Sequence, residues 1–158
     1  MHKLLLYPLS VFFFAVSVFA ADPFAGTWRL NPAKSKFEGP MKPRKELTIV
    51  IQEQGGQGFD IVKGVAADGS PISDKYAFPK TGGDVKVLEG EPAAGTSSIL
   101  AKREADARTR DWKILRNGKV IATAHDAVSE DGKTMQMSTK GIDAQGKPYE
   151  TVEVFDRI

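Results

Sequence analysis

Apolar and polar residues alternate with a two-residue period along most of the chain after residue 20. Leu47, Ile49 and Ile51 have mostly polar neighbours, and Phe59 and Ile61 repeat the spacing. Alternation of this kind is typical of a β-strand that buries one face. The pattern predicts about ten strands, at residues 25–30, 45–53, 58–66, 72–79, 84–89, 95–103, 107–116, 119–128, 133–141 and 148–157.

Glycine-containing turns separate these strands. The pair Asn117-Gly118 is the strongest turn signal, because both residues tolerate the positive φ of a tight hairpin. Consecutive hairpins leave two unpaired sheet edges unless the sheet closes on itself, and an up-and-down barrel closes it. A two-sheet sandwich is the alternative, although it usually needs longer crossing connections. We therefore expect an all-β fold, a single up-and-down antiparallel barrel of 8–10 strands.

One short helix is expected near the N-terminus of this domain. Asn31 is a good N-cap, and Pro32 suits the first helical position. Gly39, Pro40 and Pro43 follow closely. The helix should therefore have only one or two turns.

The first 20 residues have the three parts of a secretory signal peptide. Lys3 is the only charged residue among them, an uncharged run covers residues 4–19, and Val18 and Ala20 supply small residues before the expected cleavage point. A membrane span needs about 20 apolar residues, and this run is shorter. We expect cleavage after Ala20, a mature domain at residues 21–158 without an integral membrane segment, and a periplasmic or secreted bacterial protein.

Composition excludes several classes of function. Residues 21–158 contain 21 basic and 20 acidic side chains, whereas a nucleic-acid-binding domain needs a dense basic face. The chain has no cysteine, which excludes disulfides, cysteine-ligated metals and a cysteine nucleophile. Common catalytic and nucleotide-binding motifs are absent from the sequence. We predict no enzyme activity, no catalytic residue, no metal and no cofactor.

The two ends of the domain carry a family resemblance. Gly26-Thr27-Trp28 resembles the Gly-x-Trp opening of lipocalins and the Gly-Thr-Trp opening of fatty-acid-binding proteins, two groups of calycins. The last segment, 152–158, is similar to their closing strand. The resemblance implies that Arg157 packs on Trp28 and closes one end of the barrel by a cation–π contact.

A second resemblance covers most of the mature chain. Residues 24–37, 129–134 and 143–147 are similar to small exported bacterial lipocalin-like proteins of unassigned function. One feature of fatty-acid-binding proteins is missing, because the Arg-x-Tyr that holds a carboxylate on their closing strand is replaced by Glu153-x-Phe155. A fatty acid held in that way is therefore not expected.

The favoured function is that of an exported carrier of a small hydrophobic or amphipathic ligand. Arg110, beside Trp112 on one strand face, would bind an anionic or planar group. Because a buried unpaired arginine is costly, it would need a partner such as Glu153 or Asp126; the alternative places Arg110 in solvent at the barrel rim. The residues expected to line the ligand site are Tyr76, Phe78, Arg110, Trp112, Met135, Met137 and Phe155.

Two other functions remain open from the sequence. A barrel with a filled interior would instead be a periplasmic protein-interaction or inhibitor module, with a partner that the sequence does not identify. His125, the only histidine after residue 20, would serve in a haem-binding or enzymatic barrel. The simpler interpretation of His125 is an exposed or hydrogen-bonded surface residue.

Overall fold

The computed structural model describes residues 22–90, 98–103 and 108–158, so the proposed signal peptide lies outside the described residues. The described residues form eleven strands: β1 (Gly26–Leu30), β2 (Lys36–Glu38), β3 (Glu46–Gln54), β4 (Gln57–Val65), β5 (Pro71–Pro79), β6 (Gly83–Glu89), β7 (Ser98–Arg103), β8 (Thr109–Arg116), β9 (Lys119–Val128), β10 (Thr134–Ile142) and β11 (Pro148–Arg157).

The strands form one antiparallel sheet that closes on itself. From β3 to β11 each strand pairs with the next one along the chain. β1 pairs with β3 on one side and with β11 on the other, which completes the ring. β2 pairs with residues 150–152 of β11, beyond the stretch occupied by β1. The antiparallel β-barrel implied by the resemblance to calycins is confirmed.

The predicted strands are all present, with bounds that agree within two residues wherever they are described. The turn at Asn117-Gly118 also forms as expected, since both residues have positive φ, of 51° and 76°. The start of the strand predicted at 95–103 lies outside the described residues.

The expected short helix is replaced by turns, and the described residues contain no helix, hence none able to span a membrane. Lys34 donates its N–H to the carbonyl of Asn31 at 3.2 Å, as in a single turn. Asn31 and Ser35 both bind the backbone of Val154 on β11, at 2.7 and 2.9 Å. These bonds draw the segment onto the sheet, and Lys36 begins β2 before a helix can extend.

One end of the barrel is tightly packed. The core there consists of Phe24, Trp28, Leu30, Leu47, Ile49, Ile51, Val128, Met135 and Phe155. Residues 22–25 enter this end, where the indole N–H of Trp28 donates to the Phe24 carbonyl at 2.7 Å. Arg157 lies over Trp28, its cross-strand partner, as expected. The N-terminal segment and the closing strand thus seal this end together.

Candidate functional site

A cavity of about 430 Å³ occupies the barrel beyond the packed end. Its wall is mainly apolar and aromatic. The residues of this kind are Phe37, Met41, Leu47, Ile49, Val62, Ile72, Tyr76, Val85, Trp112, Ile114, Ala124, Met137 and Tyr149. The polar members are Lys42, Arg44, Asp60, Asp74, Thr139, Thr151 and Glu153.

The strand period explains which residues reach the cavity. On β10, Met137 and Thr139 line it, whereas Gln136 and Ser138 lie on the other face. The surroundings of inward-facing residues also change along the barrel axis, from the packed core to the cavity. Met135, two residues from Met137, already belongs to the packed core. A residue's face and its height along the barrel therefore both decide whether it can contact a ligand.

Three of the seven predicted ligand residues line the cavity: Tyr76, Trp112 and Met137. Met135 and Phe155 do not, since both are fully buried in the core around Trp28. They face inward, as expected, but at the height where the N-terminal segment fills the barrel.

Phe78 and Arg110 also lie behind the cavity wall rather than in it. The ring of Phe78 packs edge-to-face on Trp112, with centroids 5.1 Å apart. Arg110 points into the barrel and is only 4% exposed, so the interpretation that placed it in solvent is wrong. Its guanidinium carbon is 4.2 Å from the ring centroid of Phe24. Both side chains pack behind the wall at the deep end of the cavity, next to the packed core.

Arg110 is held by two aspartates. Its Nη2 donates to Oδ2 of Asp126 at 3.1 Å, and its Nη1 donates to Oδ1 of Asp60 at 3.4 Å. Trp112 donates its indole N–H to the same Oδ2 of Asp126 at 2.6 Å. The sequence suggested Asp126 or Glu153 as the partner. Asp126 is one partner, whereas Glu153 pairs with Arg44.

Burial shifts the pKa values of the two aspartates that hold Arg110. Loss of solvent raises the pKa of Asp60 and that of Asp126, and Arg110 only partly opposes the change. Burial would lower the pKa of Arg110, but the two carboxylates together raise it. Nε of Arg110 and Oδ1 of Asp126 are buried and have no hydrogen-bond partner among the described residues. The cluster therefore holds two carboxylates against one guanidinium, with spare hydrogen-bonding capacity.

The segment 39–45 covers the other end of the cavity. Its Met41, Lys42 and Arg44 belong to the wall. Arg44 forms an ion pair with Glu153, which is buried on β11, and Lys45 donates its backbone N–H to Val65 at 2.9 Å. These contacts hold the segment across the barrel mouth.

A tyrosine and an aspartate form a further polar pair in the wall. Tyr76 is hydrogen-bonded to Asp74. Burial and then the Asp74 charge raise the pKa of the Tyr76 phenol to about 12. Tyr76 is therefore a neutral hydrogen-bonding group at any physiological pH.

His125 lies outside the cavity. Its Nδ1 is 2.7 Å from Oδ1 of Asp111, and its side chain is 52% exposed. No group of three or more His, Asp or Glu side chains in the described part of the chain is placed to hold a metal ion. His125 thus occupies a hydrogen-bonded surface position.

Asp60 is the charged residue at the deep end of the cavity that the sequence pattern missed. The apolar residues Phe59 and Ile61 made the other face of β4 the more prominent one, yet Asp60 and Val62 line the cavity. Gly58 and Gly64 lie on the same face of β4 as Asp60. A Cβ at either position would collide with a neighbouring strand. Small residues at these two positions were the available signal for the inward face.

No protein-family model matches the chain, and no curated protein sequence matches it significantly. Among solved structures, it is similar to the zebrafish ileal bile acid-binding protein complexed with cholic acid, with 12% identity, 86% of this chain and 99% of that chain covered, and a TM-score of 0.49. It is also similar to lobster apocrustacyanin A1, with 13% identity, 87% and 62% coverage, and a TM-score of 0.45. A redesigned β-barrel, mFAP1, bound to DFHBI matches at 12% identity, 85% and 95% coverage, and a TM-score of 0.39.

Proposed function

We propose that this protein binds one small, mainly hydrophobic molecule inside its barrel. The observation that carries the proposal is the cavity of about 430 Å³ with its largely apolar wall. Ligand sites are commonly concave and apolar, with volumes of roughly 300–1,000 Å³ and a few placed polar groups. A barrel that served only as a rigid interaction module would gain stability from a filled interior. The packed core occupies one end alone.

The segment 39–45 is the proposed entrance. Its main fixed contact inside the barrel is the Arg44–Glu153 ion pair, and several of its residues are exposed. Apart from Phe37 on β2, which pairs with β11 alone, the rest of the wall belongs to strands that are hydrogen-bonded to both neighbours. Release of this one segment would open the mouth without breaking the ring.

Export is a further part of the proposal. The uncharged run after Lys3 and the small residues at Val18 and Ala20 support cleavage after Ala20, which would release residues 21–158 into the periplasm or the medium. Mass spectrometry of protein from the periplasmic fraction should find a chain that begins at Ala21. An unprocessed chain that stays with the membrane would contradict export.

Native mass spectrometry of the purified mature protein tests ligand binding directly. We expect additional mass that solvent extraction removes as one small molecule, or, for a protein that has lost its ligand, strong fluorescence of an added hydrophobic dye. A matched variant, Ala124→Phe, places a ring in the cavity and should abolish the dye signal. A bare polypeptide mass together with no dye fluorescence would overturn the proposed function.

A further inference from the structure

The deep end of the cavity presents a carboxylate. Asp60 lines the cavity and its side chain is 13% exposed, whereas the side chains of Arg110 and Asp126 are 5% and 0% exposed and lie behind it. A ligand that fills the cavity therefore meets Asp60 and not the guanidinium.

The negative charge of Asp60 is poorly balanced. Its hydrogen bond to Arg110 is long, at 3.4 Å, and leaves Oδ2 without a described partner. Arg110 is closer to Asp126, at 3.1 Å. When Asp60 and Asp126 are both ionised, one guanidinium faces two carboxylates in the described cluster, so a unit of negative charge is in excess, and the charge of Asp22 acts on Asp60 in the same direction. A buried charge of this kind favours either a proton or a cationic partner.

Two aromatic side chains line the cavity together with this carboxylate. Tyr76 is the cross-strand partner of Asp60, and Trp112 also lines the cavity. The Trp112 indole N–H is already used by Asp126, so its ring is what remains for a ligand. A carboxylate beside Tyr and Trp rings is suited to an ammonium group, through a charge-assisted hydrogen bond and cation–π attraction.

The other charged side chains of the cavity wall do not reverse the preference for an ammonium group. Arg44 is neutralised by Glu153, and Asp74, which accepts a hydrogen bond from the neutral phenol of Tyr76, adds negative and not positive charge to the wall. Lys42 is exposed on the segment that covers the mouth. The cavity therefore has a cation at its solvent end and an unbalanced carboxylate at its deep end.

We propose that the cavity binds lipophilic amines, with the protonated nitrogen beside Asp60 and the apolar body along the barrel wall. This inference rests on the proposed function and narrows it to a class of ligand. Amphiphiles that end in a carboxylate would meet repulsion at the deep end and are excluded from this binding mode.

A series of ligands with one chain length separates the two proposals. Decylamine, decanol and decanoate are titrated at neutral pH, below micelle formation, against a neutral hydrophobic dye bound to the mature protein. We expect decylamine to bind about tenfold more tightly than decanol, as for one charge-assisted hydrogen bond, and decanoate to bind more weakly than either. Equal binding of decylamine and decanol would overturn the inference but leave the proposed function standing. No displacement by any of the three, together with a dye signal that persists in Ala124→Phe, would place the dye outside the cavity and overturn both.

Two matched variants test whether Asp60 is responsible for the preference for the amine. Asp60→Asn keeps the shape of the side chain and should reduce decylamine affinity to that of decanol. Asp111→Asn removes a carboxylate from the outer face of β8, beside His125, and should leave the preference for the amine unchanged. A preference that persists in Asp60→Asn would overturn the inference, and the wild-type ligand series decides the matter even if that variant does not fold.

Discussion

Gly58 on β4 lies directly against the ring of Phe78 on β5. A Cβ at position 58 would stand 2.5 Å from Cε2 of Phe78. The ring cannot move aside easily, because it packs edge-to-face on Trp112 and lies 5.6 Å from the guanidinium of Arg110. The absence of a side chain at Gly58 thus leaves room for the Phe78 ring to pack behind the deep end of the cavity.

Gly58→Ala should destabilise the protein by about 1–3 kcal/mol, as expected for overpacking of a closely packed interior. Urea unfolding followed by circular dichroism measures the loss. Gln57→Ala, at the exposed neighbouring position, should change the free energy of unfolding by less than about 0.5 kcal/mol. Equal stability of Gly58→Ala and the wild type would show that the ring is free to move.

Arg157→Lys tests the closed end of the barrel. The Arg157 guanidinium carbon lies 4.1 Å from the ring centroid of Trp28, and the side chain donates to the carbonyls of Pro23, Ala25 and Gly132. Lysine keeps the charge but cannot span three carbonyls, so we expect a loss of about 1–3 kcal/mol in unfolding free energy. Arg29→Lys, exposed on β1, is the control and should have almost no effect.

The architecture was predictable because it depends on local signals. Alternation of apolar residues locates strands whichever face is buried, and Asn117-Gly118 specifies its hairpin through backbone conformation alone. The contact between Trp28 and Arg157 followed from the family resemblance. By contrast, β2 has only three residues, too few for a periodic pattern.

The ligand site was less predictable, because a two-residue period gives neither the inward face nor the height along the barrel. Met135 and Met137 share one face, yet only Met137 reaches the cavity. The boundary between them is set by Phe24 and Trp28, which come from the other end of the chain. On β4, the outward apolar residues concealed Asp60, because a cavity wall needs less apolar surface than a packed core.

Ala124→Leu should weaken the binding of ligands that fill the cavity. Ala124 lies in the wall on β9, and a larger side chain there takes up ligand volume. We expect at least about a tenfold loss of affinity for the bulkiest ligand, about 1.4 kcal/mol, measured by displacement of a bound dye. Thr123→Leu adds a comparable side chain to the exposed face of the same strand. Equal affinities for the two variants would place the ligand outside the barrel.

Arg44→Met should accelerate ligand exchange. Loss of the ion pair with Glu153 frees the segment 39–45, so the association and dissociation rate constants should both rise while the equilibrium constant changes less. Stopped-flow mixing with a fluorescent hydrophobic dye measures both rates. Lys36→Met removes an exposed charge from the nearby β2 and should leave the rates unchanged. Unaltered rates in Arg44→Met would mean that ligands enter by another route.

Asp60 and Asp131 should affect the pH dependence of stability in opposite directions. Burial raises the pKa of Asp60 above its ordinary value, so the native state binds this proton more tightly than the unfolded state. Its contribution to stability must then fall as pH rises from the ordinary carboxyl pKa to the raised one. The hydrogen bond from Ser129 lowers the pKa of Asp131, whose contribution is present above the ordinary pKa and is lost as pH falls through the lowered one.

Unfolding free energies of Asp60→Asn and Asp131→Asn, measured by urea titration from pH about 3 to 7, test this difference. The stability of the wild type relative to Asp60→Asn should decrease as pH rises through the acidic range, because only the wild type must ionise the buried carboxyl group of Asp60. The stability of the wild type relative to Asp131→Asn should instead increase as pH rises over the lower part of that range. A flat or rising difference for Asp60→Asn would mean that Arg110 balances Asp60 fully, and the deep end of the cavity would then carry no excess charge.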